Sequence, residues 1–367
     1  MYTMKPTLTK GWRTAGLALI AFGMLLMAAC GNSGNAQPAN GSDSGTASGA
    51  AAGKKGDVTL VIGAYSVARD AFSKLLPEFA KEWKAKTGQT VTFQESYEAS
   101  GTQARAIAGG FEADIAVLAM ESDIDKIAKA GFITSDWRSA PYGGMITRSI
   151  AVMGTRKGNP KGIHDWEDLT RKGVKVLYPN PKTSGGAQWD INAMYGAGLK
   201  ESEAKTGVKD PAYAKDFLKR IHKNVESLDK SGRASMAAFE YGFGDVIVTY
   251  ENELLGRIKS GVAYDIVVPK STILIENPAA IVDKNVDKHG TREVAEAFLA
   301  YMFTPEAQQI FADYGFRPVD PAVMEKVKDK YEVPEDLFDI SYLGGWDEVR
   351  KTLYSPKGVW YQVLAGL

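Results

Sequence analysis

The chain has little of the side-chain chemistry on which most enzymes and metalloproteins depend. Its 367 residues include one cysteine, Cys30, and three histidines, His164, His222 and His289. A lone cysteine excludes a disulfide within the chain, so the folded body must be stable without one. The histidines are far apart and lack metal-ligand spacing, and we expect them on the surface. We therefore predict no enzymatic activity, no metal centre and no cofactor.

The chain also lacks an excess of charge of either sign. Lysine and arginine number 44, as do aspartate and glutamate, so the net charge is zero. No basic stretch is interleaved with aromatic residues, and nucleic-acid binding is therefore not expected. A count of side-chain charges omits the partial charges of backbone N–H groups, so an anion site built from those groups remains possible.

A hydrophobic run near the N-terminus, residues 15–27, is too short to predict a membrane-spanning helix. It follows three basic residues and precedes Ala28-Ala29-Cys30. A basic end, an apolar core and small residues before a cleavage point are typical of a secretory signal, and the cysteine directly after them resembles a bacterial lipobox.

We therefore predict a lipoprotein signal peptide over residues 1–29 and acylation of Cys30. Residues 30–56 are rich in Gly, Ser, Asn and Ala and have almost no large apolar side chain, which predicts a flexible tether. The predicted location is the outer face of the cell membrane, to which lipid anchors the protein. A plain signal peptide cut nearby is the alternative.

Beyond the tether, apolar strand patterns alternate with helical ones. Residues 58–63 form a continuous apolar run typical of a buried strand, and residues 66–86 carry apolar side chains at helical spacing up to Gly88. This alternation predicts an α/β fold. The further predicted strands are 90–95, 113–118, 145–153, 174–178, 245–250, 264–268 and 279–282. The further predicted helices are 100–108, 124–130, one from 185, 212–221, 234–241, 292–303 and 305–313, the last with Thr304 as N-cap.

The two series of strands and helices predict two lobes with a cleft that closes by a hinge. We assign lobe 1 to residues 57–143 and 254–346 and lobe 2 to residues 144–253. Residues 347–367 then form a C-terminal tail that we expect to pack on a lobe.

Four turns of one kind each follow an extended segment and precede a helix. They contain Ser66, Ser100, Thr183-Ser184-Gly185-Gly186 and Gly232, and Ser100-x-x-Gln103 is also a capping-box pattern. The first N–H groups of a helix lack carbonyl partners and are partly positive, so such turns can hold an anion without a cation. If they converge beyond the strand ends, they form an anion site in the cleft. Four ordinary helix caps are the alternative.

Longer motifs carry a resemblance to a known family. They are ESYEASGTQARAIAGGFEADI, TRSIAVMGTRKGNPKGIHDWEDL, GVKVLYPNPKTSGGAQW, LDKSGRAS, GDVIVTYENE and TPEAQQIFADYGFRP, and they cover roughly residues 58–345. With these motifs the chain resembles the sulfate-binding lipoproteins of bacterial ABC transporters. The resemblance implies a two-lobe periplasmic-binding-protein fold of type II, with mixed sheets flanked by helices and a ligand cleft between the lobes.

The resemblance also implies a ligand set of neutral hydrogen-bond donors. Arg233 matches an arginine that lies near the anion without touching it. Ser66 stands where other members have an aspartate with a ligand-facing N–H, and Tyr250 where they have a tryptophan. The implied ligand-binding residues are Ser66, Ser100, Ser184, Gly185, Gly186, Gly232 and Tyr250.

The implied function is a monomeric receptor that captures sulfate and delivers it to the permease of an ABC transporter. Sulfate only accepts hydrogen bonds, whereas phosphate keeps a P–OH that needs an acceptor, so a donor-only cleft selects sulfate. A carboxylate facing the ligand reverses this preference; Glu98 and Asp70 are the candidates, and we expect both at the surface. Thiosulfate, molybdate and tungstate also offer only acceptors. A ferric-ion receptor is a further alternative, but Tyr65, Tyr97 and Tyr250 lie in three separate turns.

Overall fold

A computed structural model describes residues 56–367. The predicted signal peptide, the acylation of Cys30 and nearly all of the predicted tether lie outside the described residues. Within the described part, no helix is both long and apolar enough to cross a membrane.

The described strands form one curled, mixed sheet. They are β1 (Val58–Tyr65), β2 (Val91–Glu98), β3 (Ile115–Val117), β4 (Met145–Arg156), β5 (Val176–Pro179), β6 (Val225–Asp229), β7 (Val246–Tyr250), β8 (Tyr264–Val267), β9 (Ser271–Ile281) and β10 (Asp336–Phe338). The order across the sheet is β2-β1-β3-β9-β4-β7-β5-β6, with β10 beside β9 and β8 beside β4.

The described helices flank the sheet, as expected for βαβ crossovers. They are α1 (Arg69–Thr87), α2 (Ser100–Ala108), α3 (Glu121–Lys129), α4 (Gly185–Thr206), α5 (Pro211–His222), α6 (Gly232–Glu240), α7 (Glu251–Lys259), α8 (Asp283–His289), α9 (Arg292–Tyr301), α10 (Pro305–Asp313), α11 (Pro321–Val327), α12 (Gly345–Thr352) and α13 (Val359–Leu364). The prediction of Thr304 as N-cap of α10 is confirmed, because its side chain accepts from the Ala307 N–H.

Two long strands join the two halves of the sheet. The first part of β4, up to Ile150, pairs with β9, and its second part, from Ala151, pairs with β7 and β8. At its far end β9 pairs antiparallel with β3; β3 runs parallel to β1, and β1 runs parallel to β2. The predicted fold class, two α/β halves with mixed strand directions, is confirmed. The exact boundaries of the lobes stay a prediction.

Apolar side chains from helices and sheet fill the interior. An aromatic cluster of Phe72, Phe79, Phe298 and Phe311 joins α1 to α9 and α10, with ring centroids 4.9–6.3 Å apart in the contacts Phe72–Phe311 and Phe79–Phe298. These fully buried rings fix the orientation of α1 on the sheet, and therefore the position of the turn that precedes it.

The C-terminal segment packs on α4. The rings of Trp346 on α12 and Trp189 on α4 meet edge to face at 4.7 Å. The Tyr354 hydroxyl donates to the carbonyl of Gln188 and to the side-chain oxygen of Asn192. This packing holds the helix whose first residues are Gly185 and Gly186.

The expectation of surface histidines is wrong for His222, whereas His289 keeps 21% of its side chain exposed. His222 lies 2.7 Å from the Tyr178 hydroxyl and is partly buried, which lowers its pKa. His289 contacts the Asp114 carboxylate at 2.8 Å, and this hydrogen bond raises its pKa. His164 is exposed, as expected.

Candidate functional site

The turns that precede the 3₁₀ turn Ser66–Ala68 and the helices α2, α4 and α6 meet at one small cavity. Its volume, taken as the space open to the centre of a water molecule, is about 20 Å³. One water needs roughly 10–15 Å³ on this measure, so the cavity suits a single compact guest and is too small for a sugar or an amino acid. The lining residues are Tyr65, Ser66, Val67, Ala99, Ser100, Ala119, Pro179, Ser184, Gly186, Asp190, Ser231, Gly232, Thr249, Tyr250 and Glu253.

Six of the seven predicted ligand-binding residues line this cavity, and the seventh, Gly185, is next to it in the chain. The lining contains no lysine or arginine from the described part of the chain. An anion placed here therefore meets backbone N–H and hydroxyl donors, which is the chemistry of helix N-terminal anion sites.

The turn before α2 differs from the predicted capping box. The N-cap is Ala99, and no side chain caps the helix. The Ser100 hydroxyl instead donates to Asp123 Oδ2 at 2.6 Å and accepts the Ala119 N–H at 2.9 Å. The capping-box prediction is wrong because these two partners, distant in sequence, take the hydroxyl away from the helix start. The first N–H groups of α2 are thus left without a side-chain acceptor.

The hydrogen bond to Asp123 also affects what Ser100 can offer a ligand. A serine hydroxyl has one proton, and here that proton is directed to a carboxylate. Its hydroxyl donates to a ligand only after rotating away from Asp123.

The turn before α4 brings Ser184 and Gly186 to the cavity wall, with Gly185 between them in the chain. Ser184 is the N-cap, and its hydroxyl oxygen accepts the Ala187 N–H at 3.3 Å. The hydroxyl proton remains for a ligand, since this interaction uses only the oxygen as acceptor. The N–H groups of the first helical turn have no intrahelical carbonyl to bond.

Gly185 makes a tight contact with the opposite side of the cavity. A Cβ atom at this position would lie 3.1 Å from Ala119 Cβ and 3.2 Å from both Ser100 Cβ and Asp123 Oδ2. Real Cβ contacts are almost always longer, so glycine permits an approach that alanine would obstruct. The structure therefore shows the two sides closed on one another.

Gly232 begins α6 with Ser231 as N-cap, whose oxygen accepts the Ala234 N–H. The arginine that follows it, Arg233, donates to Asp70 at 2.7 Å and does not line the cavity. Asp70 lies in the first turn of α1, so this ion pair links the helix start on one side to that on the other.

Two tyrosine hydroxyls, those of Tyr65 and Tyr250, are buried at the cavity without a hydrogen-bond partner in residues 56–367. Burial raises the pKa of both phenols far above the usual range, so both stay protonated. Buried polar groups without partners are uncommon in native proteins. These two hydroxyls are donors that a ligand in the cavity can satisfy.

Two carboxyl groups, Asp190 and Glu253, also line the cavity. The sequence analysis considered Glu98 and Asp70 instead; Glu98 is exposed, and Asp70 is paired with Arg233. Burial is the main cause that raises the pKa of both Asp190 and Glu253. The Glu253 carboxyl accepts from the Thr249 hydroxyl at 2.5 Å. The expectation of a wall without carboxyl groups is therefore wrong, although a protonated carboxyl still acts as a donor.

Sequence reasoning did not place Asp190 or Glu253 at the site and considered Tyr65 only as a ligand of a ferric ion, although local signals for two of these residues exist. Tyr65 directly precedes Ser66, and Asp190 lies four residues after Gly186, on the same face of α4. Glu253 belongs to the helix after Tyr250, and its contact with the cavity depends on how that helix packs. No group of three or more His, Cys, Asp or Glu suited to a metal ion occurs within residues 56–367.

Two α/β halves closed around one small guest cavity define a solute-binding protein of the periplasmic-binding-protein fold. Residues 41–317 match the family of bacterial extracellular solute-binding proteins, and the chain belongs to this family.

Similar proteins are known in sequence and in structure. The sulfate-binding protein of Synechococcus elongatus is 41% identical over 99% of this chain and 100% of its own length. The thiosulfate-binding protein of Escherichia coli is 38% identical over 83% of this chain and 91% of its own length. The solved structure of the sulfate-binding protein SubI from Mycobacterium tuberculosis is 34% identical, with a TM-score of 0.74, and covers 81% of this chain and 100% of that chain. The resemblance to sulfate-binding proteins drawn from the sequence motifs is thereby confirmed, and the lipid anchor stays a prediction.

Proposed function

We propose that this chain is an extracytoplasmic receptor that captures sulfate and delivers it to the permease of an ABC transporter. The observation that carries the proposal is the convergence of Ser66, Ser100, Gly186 and Gly232 on one closed cavity of about 20 Å³. Relatives that bind sulfate or thiosulfate share about 40% of the sequence, which supports an oxyanion as the guest. Acylation of Cys30 would hold the receptor at the outer face of the membrane.

Neutral donors suit a dianion for a physical reason. N–H and O–H groups at helix starts stabilise negative charge without a counter-cation, and the N–H groups are already oriented before the ligand arrives. Sulfate accepts from every one of them, whereas the P–OH of hydrogen phosphate costs about 1–3 kcal/mol wherever it meets a donor instead of an acceptor. Selection of sulfate therefore requires that the Asp190 and Glu253 carboxyl groups do not accept from the ligand. The ligand set proposed for sulfate consists of the Tyr65 hydroxyl and the seven residues implied by the sequence resemblance: Ser66, Ser100, Ser184, Gly185, Gly186, Gly232 and Tyr250.

A second candidate guest has one observation in its favour. Tyr65, Tyr250, Asp190 and Glu253 bring four oxygen ligands to the cavity, and hard oxygen donors also suit a ferric ion. Ferric ion therefore belongs in the same titration as the oxyanions.

Isothermal titration calorimetry with sulfate, thiosulfate, molybdate, phosphate and ferric ion tests the proposal. We expect tight binding of sulfate, with phosphate at least tenfold weaker, as a loss of about 1.4 kcal/mol predicts. Equal affinity for phosphate, or binding of ferric ion alone, would contradict the proposal. Turnover of a sulfate ester by the purified protein would point to an enzyme instead.

The variant Gly185→Pro tests the α4 turn. Proline is tolerated at the first position of a helix, and Ser184 before it already has the extended backbone that proline requires. The substitution removes one N–H donor, and we expect sulfate binding to be lost. Unchanged affinity would exclude this turn from the site.

A further inference from the structure

We propose that Asp190 is a ligand-facing acid of the cavity and that it holds a proton while the oxyanion is bound. This inference rests on the proposed oxyanion site. It adds to that site a donor that none of the turn motifs predicted, and it links anion binding to pH.

The position of Asp190 directs its side chain to the guest. It lies on α4 one turn after Gly186, so both residues share the face of the helix that lines the cavity. Only 1% of the residue is exposed, and its Oδ1 atom has no hydrogen-bond partner within residues 56–367. A buried polar atom without a partner is costly, and a ligand in the cavity is the group that can satisfy it.

The surroundings of Asp190 disfavour its ionised form. The titratable groups that face it from the neighbouring elements are Tyr178 on β5, Tyr250 on β7, Glu253 on α7 and Tyr354 in the C-terminal segment. None of these groups is a cation. Burial, followed by the charge of Glu253, raises the pKa of Asp190 well above its ordinary value.

Glu253 differs from Asp190 in its charged neighbours. Arg233 and Arg257 act on Glu253 and partly offset the effect of burial, while Asp70 opposes them. Two carboxylates on one dry cavity do not both ionise readily. Glu253 is therefore the acid better suited to carry a negative charge, and Asp190 is the one better suited to keep its proton.

A bound dianion further favours the protonated form of Asp190. An ionised Asp190 would place a further negative charge against the ligand, whereas the protonated carboxyl donates its O–H to an oxyanion oxygen. Where Asp190 is ionised in the ligand-free protein, binding takes up one proton, and the affinity falls up to tenfold for each pH unit.

Infrared difference spectroscopy of the sulfate-bound protein near neutral pH tests the proposal directly. We expect the C=O stretching band of a protonated carboxyl, shifted when the wild-type protein carries isotopically labelled aspartate and absent from the Asp190→Asn variant. The matched control is Glu98→Gln, which removes an exposed carboxyl at the end of β2 and should leave the band in place. The labelled wild-type protein keeps the test decisive if the Asp190→Asn variant does not fold.

Calorimetric titrations with sulfate between about pH 6 and pH 9 give the second readout. We expect the wild-type affinity to fall as pH rises, with proton uptake seen in buffers of different ionisation enthalpy, and the Asp190→Asn profile to be flatter by up to tenfold per pH unit. The variant Glu253→Gln separates the contribution of Glu253 to the pH dependence of sulfate affinity from that of Asp190.

The outcomes distinguish this inference from the proposed function. A sulfate complex without an aspartic-acid band would overturn the role of Asp190 while leaving the sulfate site intact, and so would a band that is traced to glutamate. Absence of sulfate binding at every pH would instead overturn the proposed function.

Discussion

The contact of Gly185 with the opposite side of the cavity leads to a quantitative prediction for Gly185→Ala. The new methyl group would lie 3.1–3.2 Å from three atoms of Ala119, Ser100 and Asp123. All three neighbours belong to the part of the chain assigned to lobe 1, and Gly185 to the part assigned to lobe 2. The methyl group therefore obstructs closure of the cavity but has no such neighbours when the lobes are apart.

The magnitude follows from overpacking. Inserting a methyl group into a tight contact costs about 1–3 kcal/mol. If that cost falls only on the closed form, it appears entirely in the affinity, and tenfold per 1.4 kcal/mol gives a dissociation constant for sulfate about 5- to 150-fold higher. The ligand-free protein should change in stability by no more than about 1 kcal/mol, the usual effect of Gly→Ala in a helix.

Calorimetry with sulfate measures the affinity, and thermal unfolding with and without sulfate measures both stabilities. The matched control is Gly256→Ala on α7, a helical glycine whose added Cβ would lie 3.9 Å from the Tyr314 carbonyl, an ordinary contact. We expect the control to bind like the wild type. A Gly185→Ala affinity within about twofold of the wild type would refute the reasoning, because the tight contact would then not belong to the ligand-bound form.

Three further predictions concern stability and the rim of the cleft. The folded-state pKa of Asp190 is raised, so its contribution to folding is present below the unfolded pKa and is lost as pH rises through the folded pKa. The melting temperature of Asp190→Asn should therefore exceed that of the wild type by more as pH rises. A difference in melting temperature that stays constant with pH would contradict this. Trp346→Ala should lower the free energy of unfolding by about 3–5 kcal/mol in denaturant titrations, because it empties a buried contact with Trp189. A loss below about 1 kcal/mol would show that this contact contributes little to stability. Asp70→Asn should weaken sulfate binding by no more than about fivefold, because its half-exposed pair with Arg233 contributes about 0–1 kcal/mol. Calorimetry at low and high salt should show the difference in sulfate affinity between the variant and the wild type shrinking as salt is added.

Local properties of the chain were readable in advance. In the strand and helix that flank each turn, apolar side chains recur with a clear period, and β1, α2 and α10 lie where these patterns predict them. An unpaired N–H group at a helix start is a property of a few consecutive residues. The Ser184 turn could therefore be predicted as an anion-binding element before its neighbours were known, and its anion binding stays a prediction.

Contacts between distant residues could not be read in this way. The Ser100 hydroxyl bonds Asp123 and Ala119, which lie 23 and 19 residues further along the chain, and so the capping box does not form. The strand predicted over residues 279–282 begins earlier, at Ser271, because β9 extends along β4 and β10. Hydrogen bonds across a sheet depend on the partner strand as well as on the strand itself.

The sequence by itself determined the class of site, because helix starts rich in serine and glycine expose N–H donors wherever they are placed. Only the tertiary structure decided which side chains share the cavity with those donors. Asp190, Glu253 and Tyr65 are ordinary polar residues in the sequence, and their protonation depends on burial, on neighbouring charges and on the closed arrangement of the two halves. The burial of a side chain and the electrostatic field around it depend on the whole fold, so a short stretch of sequence does not determine them.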